Sequence, residues 1–291
     1  MNDIQSISLS RKNEPVELEH GSLFFIGTAT VLLKYAGFTI LTDPNFLHQG
    51  DRVHLGYGVR ARRLTNPAAE LENLPPPDLI LLSHLHEDHF DRLVARNLQK
   101  TIPIVTTPKA AEGLSKMGFQ VTHPLKTWQT LSFERGNSTL SVSSMPGRHA
   151  PGRLAPLLPE VMGSMLEFKN AAGDVLIRLY ISGDTLYYDQ LKDIPWRYHD
   201  IDLALIHLGG TRIFGLLVTM DARQGVEIIK LINPRKAIPI HYNDYTAFKS
   251  PLADFQCAVV DKGLQDRVHY LYHGDTYTFE VPSSRRQLAK A

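Results

Sequence analysis

The chain has 291 residues, of which 43% are hydrophobic and 21% charged, with a formal net charge of +1. That length suits one large domain or two small ones, and the balance excludes a disordered chain and a strongly basic nucleic-acid binder. The single cysteine, Cys257, excludes an internal disulfide framework, and no apolar run approaches the ~20 residues of a membrane-spanning helix.

The opening stretch "MNDIQSISLSRKNEPVELEH" lacks the apolar core of a secretory leader, so a cytoplasmic protein is expected, with residues 1–19 as a tail. Strand-like runs follow at "SLFFIG" (22–27), "TVLLKY" (30–35) and "FTILTD" (38–43). A stretch without periodicity runs from Asn45 to Pro77, and "DLILLS" (78–83) and "IPIVTT" (102–107) are the next strands. Helical spacing of apolar residues appears at 90–99 and at 107–118, the latter with Pro108 at its start and Gly118 at its end. The second half adds strands at 139–145, 164–170, 174–182, 201–208 and 236–242. It adds helices at 220–232, which Thr219 or Asp221 could cap, and at 250–263. A second aperiodic stretch spans Pro146 to Met162, and "SSRRQLAKA" (283–291) reads as a frayed basic tail. Strands mixed with helices throughout predict a single layered α/β domain over 20–282.

One segment carries the chemistry. In "DLILLSHLHEDHFDRL" a buried-type strand runs into His84, His86, Asp88 and His89. Alternation points His84 and His86 the same way, and Asp88 and His89 fall where the chain turns toward a helix. Two imidazoles on one cation, with a carboxylate and a third imidazole on a neighbour, use this spacing well. Such a donor set suits Zn²⁺, and also Fe²⁺ or Mn²⁺.

"HLHEDH" resembles the His-x-His-x-Asp-His signature of the metallo-β-lactamase superfamily, and the family's other motifs follow in order over residues 20 to 280. "TILTDPNF" supplies Asp43, "SMPGRHAPG" His149, "LYISGDT" Asp184 and "AIPIHYND" His241. Within the superfamily, "GDT", "LALIHLGG", "TMDARQGVEI" and "PIH" resemble the branch of N-acyl-phosphatidylethanolamine phospholipase D and ascorbate-6-phosphate lactonase. The resemblance implies a four-layer αββα sandwich with two divalent metal ions, most simply Zn²⁺. It places His84, His86 and His149 on the first ion, Asp88, His89 and His241 on the second, and Asp184 between them. Asp43 would hold a ligand imidazole in its tautomer. The strand pattern agrees, because His149, Asp184 and His241 each follow a strand-like run.

A hydroxide bridging two such ions would attack a carbonyl or phosphoryl centre, with Asp88 or Asp184 shuttling the proton. His207, at another strand end, is a candidate catalytic residue of the pocket, with a buried structural histidine as the alternative. Tyr242 and Asp244 could contact substrate or support His241. His54, Tyr57, Arg60, Arg62 and Arg63 could greet an anionic group, or form a solvated face. Cys257 is expected to pack as a small hydrophobe on its helix. The aperiodic 146–162 stretch is apolar enough to line a pocket for an acyl or lipid-like substrate, with simple packing on the domain as the alternative.

The expected activity is hydrolysis of a phosphodiester, lactone or other ester of a small or lipid-like molecule, with homo-oligomerisation left open. A nuclease is the alternative enzyme; the near-neutral charge and the short stretch between Asp184 and His241, with no room for a large inserted domain, speak against it. A metal-holding sensor without turnover is the alternative from another class.

Overall fold

A computed structural model of the chain describes residues 5–9, 16–55, 58, 60–150, 152, 158–213 and 215–290. After β1 (Gln5–Ser8), an antiparallel run is made by β2 (His20–Gly27), β3 (Thr30–Tyr35) and β4 (Phe38–Thr42). Ala36 and Gly37 turn the chain between β3 and β4 with φ of 51° and 80°, the backbone hand that matches a twisted hairpin. A small hairpin, β5 (Arg52–His54) with β6 (Arg60–Arg62), interrupts the first aperiodic stretch. Then β7 (Leu79–Leu81), α1 (Arg92–Asn97), β8 (Ile104–Thr106), α2 (Pro108–Lys116) and β9 (Thr122–Pro124) alternate, with β4, β7, β8 and β9 parallel.

The second half opens with an antiparallel meander of β10 (Thr130–Arg135), β11 (Ser138–Met145), β12 (Gly163–Lys169) and β13 (Val175–Ile181). It continues through α3 (Asp193–Arg197), β14 (Leu203–His207), a two-residue hairpin of β15 (Arg212–Ile213) and β16 (Leu216–Leu217), and α4 (Ala222–Ile232). The chain then forms β17 (Lys236–Ile240), α5 (Leu252–Asp261), β18 (Thr276–Glu280) and α6 (Arg286–Lys290). Strands β13, β14 and β17 are parallel.

Two seven-stranded sheets result, ordered β18-β2-β3-β4-β7-β8-β9 and β1-β10-β11-β12-β13-β14-β17. Period-two alternation assigns the layers. Leu79 and Leu81 of β7 join the core between the sheets, with Phe25, Leu33, Phe133, Val142 and Leu166. Ile80 and Leu82 face the other way, onto Val94 of α1 and Leu114 of α2. Val226 and Ile229 of α4 and Phe255 and Val259 of α5 cover the second sheet's outer face. The four-layer αββα sandwich is the expected architecture. Among the described residues no helix is long and apolar enough to cross a membrane.

Local chemistry sets the helix starts. The carboxylate of Asp91 accepts from the amides of Leu93 and Val94, and Thr107 caps α2 ahead of Pro108. Of the two candidates for α4, Asp221 is the cap; the Thr219 hydroxyl accepts from the amide of Thr211 instead.

Three expectations need correction, and a fourth falls largely outside the described residues. Residues 5–8 are not tail but the strand β1, paired in parallel with β10. Of the expected frayed tail 283–291, residues 283–290 are ordered: a 3-10 turn leads into α6, Ala289 is buried, and Arg285 pairs with Asp202; residue 291 lies outside the described residues. Tertiary contacts, not composition, order this segment; the Asn170 side-chain amide donates to the Leu288 carbonyl at 2.9 Å. Cys257 does lie on α5 but is exposed, since the helix turns Phe255 and Val259 inward instead. Of the 146–162 stretch, residues 151 and 153–157 lie outside the described residues, so the acyl-pocket expectation falls largely there.

Candidate metal centre

Every histidine and aspartate singled out by the motifs stands just past the carboxyl end of a strand. Asp43 follows β4, His84 to His89 follow β7, and His149 follows β11. Asp184 follows β13, His207 ends β14 and His241 follows β17. That edge is where an α/β sheet presents side chains from several strands to one ligand.

The backbone there is held in sparsely populated conformations. Thr28, Asp43, His241 and Asn243 have φ of 52°, 35°, 62° and 61°. Tertiary hydrogen bonds maintain them. The amide of His241 donates to the Thr28 carbonyl at 2.6 Å, and the amide of Thr28 donates to Asp244 Oδ2 at 2.8 Å. Asp244 is fully buried and also accepts from the Thr65 hydroxyl, with His273 at 3.2 Å. Asp244 therefore supports His241 and does not face a substrate. The Tyr242 hydroxyl donates to the Leu271 carbonyl at 2.6 Å, away from the converging residues.

Gly183, with φ 61°, makes the turn that delivers Asp184; a Cβ there would lie 2.5 Å from the Met162 carbonyl oxygen. Gly183→Ala is therefore expected to destabilise the fold by about 1–3 kcal/mol, since both strain and clash act. A urea titration of the variant beside wild type checks this, and equal midpoints would contradict it.

The side chains gather into three groups whose donor atoms lie within 4.8 Å of one another: His84, His86 and His149; Asp88, His89, Asp184 and His241; and Asp43, His89 and His207. His84 Nε2 and His86 Nδ1 are 3.0 Å apart. His89 Nε2 lies 3.2 Å from Asp184 Oδ2, and His241 Nε2 lies 3.6 Å from Asp88 Oδ2. Backbone carbonyls orient two rings. His149 Nδ1 donates to the Val218 carbonyl at 2.8 Å, and His241 Nδ1 to that of Leu208 at 3.1 Å. Both leave Nε2 free.

Asp43 is the hub behind this arrangement. Its Oδ1 accepts from the Ser83 amide at 2.7 Å and the Ser83 hydroxyl at 3.0 Å. Its Oδ2 lies 3.4 Å from both His89 Nδ1 and His207 Nε2. His207 is fully buried behind Asp43, and its amide donates to the Ser182 hydroxyl at 2.9 Å. It touches the hub and not an open pocket. The sequence pattern gives Ser83 and Ser182 no role of their own, and only their place beside His84 and Gly183 signals them.

Four buried polar atoms in the second group lack hydrogen-bond partners: Asp88 Oδ1, His89 Nε2, Asp184 Oδ1 and His241 Nε2. Such atoms are costly to leave unmatched, and their convergence fits a divalent cation with nitrogen and oxygen donors.

Electrostatics divides the groups. Burial, reinforced by the neighbouring imidazoles, pushes His84 well below the ordinary histidine range and His86 down to about 4; burial also lowers His149. Burial acts in the same sense on His89 and His241, but Asp184 and Asp88 overcome it and raise both. Burial would raise Asp43, Asp88 and Asp184, yet the surrounding imidazoles hold Asp43 at about 2, Asp88 low and Asp184 well below the carboxylate range.

The expected anion-greeting cluster does not assemble. Arg63 is fully buried, its guanidinium 5.4 Å from the Tyr245 ring centre and its Nε donating to the Thr65 carbonyl. His54, Arg60 and Arg62 are exposed on the β5–β6 hairpin, and Tyr57 lies outside the described residues.

Residues 39–242 match the model of the β-lactamase superfamily domain. A metal-dependent hydrolase of Methanosphaerula palustris is 30% identical over 63% of this chain and 76% of its own length. An N-acyl-phosphatidylethanolamine-hydrolysing phospholipase D of Caenorhabditis elegans is 26% identical over 76% of this chain and 63% of that protein. Among solved structures, an isothiocyanate hydrolase from Delia radicum gut bacteria superposes with a TM-score of 0.75 at 20% identity. It covers 89% of this chain and 100% of that one, which establishes the shared fold. Because the family match takes in every converging residue from Asp43 to His241, the chain belongs to the β-lactamase superfamily and is, like its relatives, a metal-dependent hydrolase.

Proposed function

We propose that the protein binds two divalent cations and hydrolyses a phosphodiester, a lactone or another ester of a small or lipid-like molecule. The four partnerless buried atoms at one sheet edge carry this reading. His84, His86 and His149 would hold one ion and Asp88, His89 and His241 the other, with Asp184 between them. Zn²⁺ suits the imidazole-rich first group, and Mn²⁺ or Fe²⁺ would be accepted by the carboxylates of the second. Bound there, two such cations would polarise the scissile group and bring the pKa of a coordinated water toward ~7.

The chain's own residues do the rest. Asp88 or Asp184 would take up the proton during hydrolysis, on a carboxylate oxygen not given to a cation. Asp43 accepts from the Nδ1 side of His89 and keeps its Nε2 turned to the cations. His207 braces Asp43 from behind and acts through it.

The experiment is metal analysis of purified protein beside a panel of bis(p-nitrophenyl) phosphate, p-nitrophenyl esters and lactones, with and without chelator. About two ions per chain, and turnover that chelation abolishes and metal restores, are expected; turnover indifferent to chelation would sink the reading. The substrate preferred decides between phosphodiesterase and lactonase.

Proton release on metal binding has a direction too. His84, His86 and His149 are lowered, so at pH 7 they meet a cation already neutral. His89 and His241 are raised, so protons must leave before the second group is filled. Calorimetry in buffers of different ionisation enthalpy should show more protons released by the second ion than by the first. Affinity of the second group should rise with pH above the ordinary histidine value of ~6.5. Equal release for both ions would contradict the division.

A further inference from the structure

We infer that the cleft beside His149 is an anion subsite, and that the substrate carries a carboxylate or phosphate group which Arg148 and Lys109 receive. The inference rests on the hydrolytic reading only for where the scissile bond lies.

The cleft holds about 420 Å³, and His149, Arg148, Lys109, Leu158, Val161 and Tyr188 are among its lining residues. That volume is within the ~300–1,000 Å³ of small-molecule sites. His149 belongs to the first ligand group as well, so the cleft lies beside the candidate metal centre.

Arg148 is built into its place. Its amide donates to the Thr185 hydroxyl at 2.9 Å, and its carbonyl accepts from the amide of Leu186 at 2.8 Å. Both partners belong to the turn that carries Asp184. On the other side Gly147 lies against the Val161 backbone, where a Cβ would sit 2.8 Å from the carbonyl oxygen. The guanidinium lies 4.1 Å from the Tyr188 ring centre, so its planar fork is held by stacking while its N–H groups stay available. Neither Arg148 nor Lys109 makes an ion pair among the described residues. Asp189, which the Arg148 charge also reaches, is committed to Lys192 at 2.7 Å.

Lys109 adds a second cation from the first turn of α2, where the helix's own amides contribute positive potential. Leu85, in the ligand loop, meets this helix so closely that a Cβ on Gly113 would lie 2.4 Å from its Cδ2. The α2 start and the metal loop are thus fixed relative to each other. Among the described residues the one carboxylate lining the cleft is the exposed Glu160, and Leu158 and Val161 supply an apolar wall. Two cations, an apolar wall and a hydrolytic centre next door fit a small organic anion: an apolar or heterocyclic body with one negative group, cleaved at a neighbouring bond.

The test compares three lactones on metal-loaded protein: a neutral ring, the same ring bearing a carboxylate, and the same ring bearing a phosphate monoester. It also measures calorimetric binding of phenylphosphonate and phenylacetate, which are not hydrolysed. Wild type should favour an anionic lactone in kcat/KM, and the better of the two identifies the group. Arg148→Gln should weaken that preference by about 10- to 100-fold, the worth of a charge-assisted contact, mostly through KM. Lys109→Gln, at an exposed position that leaves the fold intact, should weaken it in the same direction. Binding of the preferred anion should fall at least about tenfold in Arg148→Gln. No preference in wild type, or a preference unmoved by both substitutions, overturns the subsite. If no lactone or ester is turned over at all, the hydrolytic reading fails, while the binding data alone decide the subsite: undiminished affinity in Arg148→Gln overturns it.

Discussion

Asp184→Asn is expected to leave a folded protein whose turnover has dropped by more than about a hundredfold and whose metal content has fallen below wild type. Mutating residues that merely orient metal ligands costs about 10- to 100-fold, and Asp184 is proposed as a ligand itself. The substitution preserves shape and removes the charge. Asp184 is buried, and although burial alone would raise it, His241 and His89 hold it well below the carboxylate range. Its Oδ2 is 3.2 Å from His89 Nε2 and its Oδ1 3.5 Å from His241 Nδ1, so the neutral amide deprives both imidazoles of the anion between them. Metal content and kcat/KM are measured together, with circular dichroism confirming the fold. Wild-type metal content with turnover within a few-fold would refute a central role for this carboxylate.

The second large effect lies at the opposite end of the sandwich. Arg135, at the close of β10, donates from Nη1 to Asp78 Oδ2 at 2.6 Å and from Nη2 to Asp78 Oδ1 at 2.7 Å. It also donates to the Gly37 carbonyl at 2.6 Å, so one guanidinium joins its own sheet to the β3–β4 turn and the start of β7 in the other. The arginine side chain is 4% exposed and the aspartate 11%. Removing one member of such a pair strands a buried charge, which costs about 3–5 kcal/mol. Asp78→Ala should therefore lower the melting temperature by roughly 10 °C, at ~2–4 °C per kcal/mol for a chain of this size class. Below its new transition the variant should keep its metal, because Asp78 precedes β7 and the proposed ligands follow it. A melting temperature within about 2 °C of wild type would show that Arg135 finds adequate partners without Asp78.

The sequence was most legible where burial leaves a plain pattern. The strand expected at 30–35 is found as Thr30–Tyr35, and the crowded histidines do lie past a strand buried on both faces. It was least legible where partners are distant in the chain. The β18 stretch buries only Phe279 firmly, so it looks polar until β2 is beside it. Half-polar alternation concealed β10, whose Leu131 and Phe133 point inward. Arg63 reads as part of a basic surface run, yet the Tyr245 ring and the Thr65 carbonyl, unreadable as neighbours in sequence, take it inside. The charges lining the cleft, Arg148 and Lys109, come from separate regions that only folding brings together. Local pattern reports burial; it does not report which buried groups face one another.

The order of the strands has a consequence for synthesis. Strands β2–β4 and β7–β9 belong to one sheet and β10–β14 and β17 to the other, but each sheet borrows an edge from the far end of the chain: β18 completes the first and β1 the second. The pairing of Thr276 with Phe24 closes only after some 250 residues have been translated, a wait of roughly 12–50 s at ~5–20 residues per second. Until then β2 is an open hydrogen-bonding edge on a nascent chain, the feature most prone to pair with a stranger. The ribosome-bound half-protein is therefore the state that needs a chaperone, and slowing translation should lengthen the time that this edge stands open.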